Sequence, residues 1–84
     1  MLFFRSTGEL EMTPTEAMEE AARLVGGKAA LASRLEVSAP TVSQWCSGAR
    51  PVPAERALQI EEITAGKVRR DLLCPAFPWK AAAA

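Results

Sequence analysis

Apolar positions in this 84-residue chain recur mostly at three- and four-residue intervals. That is helical spacing, not the alternation of a half-buried strand. Ala17, Met18, Ala21, Ala22 and Val25 make the first stripe. Thr13 stands three residues before Glu16, the spacing of a capping box, and Pro14 suits the first helical position. Gly26-Gly27 closes this helix. A second helix is predicted over 28–35, with Leu31, Ala32 and Leu35 inward, and "EVS" breaks it. A third is predicted over 39–47, with Ser38 as its cap and Gly48 as its stop. "ARPVP" follows as a stiff turn, because each proline fixes its own φ. A fourth helix is predicted over 53–64, with Ala57, Leu58, Ile60 and Ile63 apolar and Gly66 as its terminator. "VRRDLLCPAFPW" carries large apolar groups but two prolines, which predicts a short helical turn and then an extended tail packed on the core. No useful strand pattern and no internal repeat is visible. The pattern is that of an all-α domain of about five short helices.

The third helix raises a question of its own. Its apolar residues, Val42, Trp45 and Cys46, form one narrow stripe. Ala39, Pro40, Thr41, Ser43, Gln44 and Ser47 fill the rest, all small or able to hydrogen-bond. A helix used only for packing seldom carries so short and uncharged an outer face.

Composition bounds the answers. A chain this short makes one small domain with one modest core, and 49% apolar residues suffice for it. Formal charge is zero, yet unevenly placed. Residues 1–27 carry two cations against five acids, and residues 28–84 carry eight against five. A mildly basic second half is compatible with a polyanion partner and is also common by chance. Two cysteines, Cys46 and Cys74, and no histidine give no metal-ligand set. No cofactor is implied. No apolar run reaches the length of a membrane span, and "MLFF" before Arg5 lacks the form of a signal peptide. The reading is a cytoplasmic protein with reduced thiols. The paired acids Glu19-Glu20 and Glu61-Glu62 have no histidine or metal partner and read as helix surface; acid–base catalysis would also need a pocket. The chain does not read as an enzyme.

Two short helices joined by a three-residue turn make a helix-turn-helix. The motif needs a small residue where the helices cross, and Ala32 supplies it. It needs a second helix that buries one stripe and leaves the opposite face bare for the DNA major groove. The third helix meets both demands.

With those residues in view, "KAALASRLEVSAPTVSQWCSGARPVP", Lys28 to Pro53, resembles the helix-turn-helix of the lambda-repressor-like superfamily. It is most similar to the Cro-like, YdaS-type prophage regulators. The likeness runs from Gly26-Gly27 through Arg69 and Asp71 to Pro75, and more loosely covers Thr13 to Trp79. It implies a small lambda-repressor-like fold. It also implies a repressor that binds operator DNA, and some members are antitoxins beside a toxin-like partner. Such proteins usually dimerise on a two-fold operator. One residue departs from the pattern. The family often has Gly at the first turn position, which here is Glu36. Positive φ there costs a non-glycine residue about 1 kcal/mol, so the turn is either strained or built differently.

The resemblance implies roles residue by residue. Ala39, Pro40, Ser43 and Gln44 take the base-facing positions. A glutamine amide can pair bidentately with adenine N6 and N7, which makes Gln44 the strongest reader. Lys28, Thr41, Trp45, Ser47 and Arg50 are the candidates for phosphate contacts, which position the protein without reading sequence. Plainer readings stand beside these. Trp45 reads first as core or rim, Cys46 as a small buried hydrophobe, and Lys67, Arg69 and Arg70 as solvated surface.

The domain plan is an N-terminal arm or extension over 1–12, a helix-turn-helix domain over 13–79 and a low-complexity tail over 80–84. The arm reads as unstructured or as a short strand, with Met12 an equal starting residue. A homodimer contact would come from the tail (Leu72, Leu73, Phe77 and Trp79) or from "MLFF". The rival to a DNA-binding regulator is a protein-interaction module, such as an antitoxin that covers a toxin. Zero net charge favours the rival, and the narrow polar face favours DNA.

Overall fold

The computed structural model describes residues 12–79; the "MLFF" arm and the "KAAAA" tail lie outside them. The described residues form five helices and no strand: α1 Pro14–Val25, α2 Lys28–Leu35, α3 Ala39–Ser47, α4 Ala54–Ile63 and α5 Arg70–Leu73. The all-α expectation holds.

Local chemistry sets the first three helices. Thr13 Oγ1 accepts from the Glu16 amide at 3.2 Å, and Glu16 Oε1 accepts from the Thr13 amide at 2.9 Å, completing the capping box. A cap of this kind contributes about 1 kcal/mol. At the other end Gly26 turns left-handed at φ +105°, which lets Gly27 N–H reach the Ala22 carbonyl at 2.7 Å. α1, α2 and α3 pack on one another in all three pairings; α4 packs on α2 and α5, and α5 returns to α1. Met18, Leu31, Leu35, Val42, Trp45, Ile60, Val68 and Leu73 form the heart of the core. Val52 is buried while Pro51 and Pro53 on either side are exposed. The stiff turn thus pins itself to the core through one side chain.

Three expectations need correction. Leu58 is 39% exposed, so only Ala57 and Ile60 of α4 are fully buried, with Ile63 packed partly against the core. Pro53 and Thr64 are the caps of α4 and not part of it, and the left-handed turn begins at Ala65 (φ +57°) before Gly66. Arg70 is not plain solvated surface. Its Nε donates to Glu61 Oε1 at 2.6 Å and its guanidinium lies 5.5 Å from the centre of the Trp79 ring. Glu61 is therefore an anchor for the tail.

Thr64 governs the reversal after α4. Its buried hydroxyl donates to the Ile60 carbonyl at 2.9 Å and accepts from the Val68 amide at 3.2 Å. The tail after α5 folds back on itself, with the Trp79 indole N–H donating to the Cys74 carbonyl at 2.8 Å. Phe77 stays 37% exposed against the Trp79 ring, their centroids 4.5 Å apart.

Candidate nucleic-acid interface

The turn between α2 and α3 is built on Glu36, which adopts φ 60° and ψ 42°. Its amide donates to the Ser33 carbonyl at 3.2 Å, and the Val37 amide donates to the Ala32 carbonyl at 3.0 Å. Together these bonds make a Schellman motif, which satisfies two carbonyls at the end of α2. Of the two alternatives for the missing glycine, the chain takes the strained one: the left-handed turn is kept with a side chain on it. Ala32 is buried, as the tight crossing requires.

Ser38 then opens α3. Its Oγ accepts from the Thr41 amide at 3.3 Å and lies 2.7 Å from Thr41 Oγ1. The Thr41 hydroxyl is thus engaged in the cap. The two faces of α3 separate as the sequence predicts. Val42, Trp45 and Cys46 are buried. Ala39, Pro40 and Ser43 are exposed, and Gln44 is half-buried.

Gln44 is the best-anchored residue of the outer face. Arg50, exposed in the loop after α3, donates from Nη1 to Gln44 Oε1 at 3.2 Å. The Arg50 amide donates to the Gln44 backbone oxygen, also at 3.2 Å. Ser47 is exposed, but its hydroxyl closes the helix end: it donates to the Gln44 carbonyl at 3.2 Å and accepts from the Ala49 amide at 3.3 Å. The structure therefore brings Gln44, Ser47 and Arg50 together and leaves Ala39, Pro40 and Ser43 as open surface.

Lys28 is exposed at the first position of α2. Its N-cap, Gly27, offers no side-chain acceptor, so the first amides of α2 have no side-chain cap. Free amides and the positive end of the helix dipole make such a terminus receptive to an anion. Trp45 sits in the core with 5% of its surface exposed. Little of the ring is left for a phosphate. Trp45 also helps line an apolar groove of about 380 Å³, with Pro14, Val52 and Leu73. No local pattern in the chain marks this groove. Burial pushes the Cys46 thiol above its ordinary pKa; the nearby Lys28 charge opposes this and Glu19 adds to it. Cys46 is thus the inert packing residue expected. No group of side chains among the described residues could hold a metal ion, and no described helix is long and apolar enough to cross a membrane.

One contact at this site escaped the sequence. Arg56 of α4 donates from Nη1 to the Leu35 carbonyl at 3.1 Å, next to the turn. No local signal marks a bond between residues 21 apart in the chain.

The family model described as "Bacterial toxin YdaS" matches residues 18–82, which include all of α2, the turn, α3 and Arg50. The chain belongs to the YdaS family. Among its relatives, the Escherichia coli (strain K12) protein named "Putative transcriptional regulator YdaS" is 43% identical over 63 residues, 75% of this chain and 64% of that protein. The Pseudomonas phage D3 protein named "Regulatory protein cro" is 44% identical over 52 residues, 58% of this chain and 67% of that protein. This YdaS-family chain therefore spans somewhat under two thirds of the length of the Escherichia coli relative. No solved structure matches the chain. The resemblance read from Lys28 to Pro53 and the family match cover the same helix pair.

Proposed function

We propose that the chain is a sequence-specific DNA-binding transcriptional regulator of the Cro-like kind, with no catalytic role, acting in the cytoplasm by occupying an operator. The observation that carries this reading is the outer face of α3. Small and hydrogen-bonding side chains stand exposed there, backed by a buried Val42–Trp45–Cys46 stripe. A partner-binding helix would present a broader apolar face. The names of the two relatives, a transcriptional regulator and a phage Cro protein, support the same reading.

In this proposal α3 enters the major groove with Ala39, Pro40, Ser43 and Gln44 toward the bases. Lys28 and the uncapped amides of α2 meet a phosphate. Thr41, Trp45, Ser47 and Arg50 complete the backbone contacts, which set the register of the protein on the duplex. Of these, Lys28 and Arg50 supply charge. The others supply only neutral donors, so the salt dependence falls mainly on the two cations. A homodimer would place two α3 helices about 34 Å apart, one turn of duplex.

A second reading has one observation in its favour, the toxin named in the family description. Under it the chain works against a protein partner, as an antitoxin-like module. Enrichment from a random duplex pool separates the two readings. A regulator retains a defined motif, with two related half-sites if it dimerises. A protein-interaction module retains none.

A further inference from the structure

We infer that Arg50 and Gln44 act as one reading unit that prefers a G·C pair where a free glutamine would prefer A·T. The inference rests on the DNA-binding reading above and adds the identity of one base. A glutamine amide unencumbered in the groove accepts from adenine N6 through Oε1 and donates to adenine N7 through Nε2. Here Oε1 already accepts from the Arg50 guanidinium at 3.2 Å. Arg50 is also tied to the Gln44 carbonyl through its own amide, so the contact belongs to the path of the loop and not to one side chain alone. The Pro51 ring and buried Val52 hold that path just beyond it.

The electrostatic consequence is direct. The atom that should meet an adenine amino group lies beside a cation, and the amino hydrogens carry positive partial charge. Arg50 takes one lone pair of Oε1 and places its charge beside the other, so the donors of Gln44 Nε2 and of the remaining Arg50 N–H groups dominate the edge. A donor-rich edge matches guanine, which shows two acceptors, O6 and N7, in the major groove. Arg50 is then a positioning and specificity-determining residue as well as a cation near the backbone.

The test is enrichment from a random duplex pool at fixed salt with the full chain in four forms: wild type, Gln44→Ala, Arg50→Ala and Arg50→Lys. Gln44→Ala marks the position that Gln44 reads, by losing its preference there. At that position the wild type is expected to select G·C over A·T by about tenfold or more. Arg50→Ala is expected to change it to A·T and leave every other position as it was. Arg50→Lys keeps the charge and loses the planar fork, so it should weaken the G·C preference without lowering the salt dependence of binding. Any base pair other than G·C in the wild type overturns the inference. So does an unchanged base in both Arg50 variants with a uniform loss of affinity, which would leave Arg50 a phosphate contact only. Failure of the wild type to enrich any motif would remove the DNA-binding reading itself, a different and recognisable outcome.

Discussion

Arg56, in the first turn of α4, donates from Nη1 to the carbonyl of Leu35, the last residue of α2, at 3.1 Å. Gln59 holds the same nitrogen at 2.7 Å through its Oε1. The carbonyls at a helix C-terminus lack intrahelical partners and carry the negative end of the dipole, so a guanidinium there serves as both donor and counter-charge. Through it α4 clamps the last turn of α2, immediately before the turn into α3.

Replacing that clamp gives the first prediction. Arg56→Met keeps much of the apolar stem and loses the charged donor. It should destabilise the fold by about 1–2 kcal/mol in urea titrations. A change below the error of the titration would mean that the contact is not maintained in solution.

Glu36 supplies the second. Its φ of 60° places a side chain where glycine is favoured. The residue is exposed, so little packing is lost when the side chain is removed. Glu36→Gly should stabilise the domain by about 1 kcal/mol, a rise in Tm of several degrees for a chain of this size. A lower Tm would show that the Glu36 side chain makes a stabilising interaction that outweighs the strain.

Thr64 gives the third, from a buried hydroxyl that both donates and accepts. Thr64→Val preserves shape and leaves the buried Val68 amide without its acceptor. The expected cost is about 1–3 kcal/mol, with Thr64→Ser losing less. A greater loss in Thr64→Ser than in Thr64→Val would assign the role of Thr64 to its methyl group.

The fourth concerns electrostatics. Lys28→Ala should weaken binding to all duplexes alike and reduce the slope of log K against log salt by about one. An unchanged slope would remove Lys28 from the backbone contacts.

The legible and the hidden parts of this chain differ in range. The bounds of α2 and α3 and the capping box of α1 could be read because caps and glycine stops act within a few residues. The two faces of α3 could be read because helical periodicity sorts them. The bonds of Arg56 to Leu35, Arg70 to Glu61 and Thr64 to Val68 depend on where the chain returns, and residue types alone do not report that. Leu58 went astray for a related reason: an apolar residue in a helix looks inward until the neighbouring helix is placed. Arg50 is the instructive case at the site. The resemblance implies a phosphate contact for it, and the path of the "ARPVP" loop also lays it on Gln44.

The central claim is that the outer face of α3 meets DNA, and an amide chemical-shift titration tests it most directly. The uniformly ¹⁵N-labelled full chain is titrated with a duplex enriched from the random pool. The account predicts the largest shifts at Ala39, Ser43, Gln44 and Arg50, with a second group at Lys28 to Ala30. Residues near the exposed Leu58 should move little. Shifts concentrated around Leu58 and Phe77, with the α3 face unmoved, would contradict it.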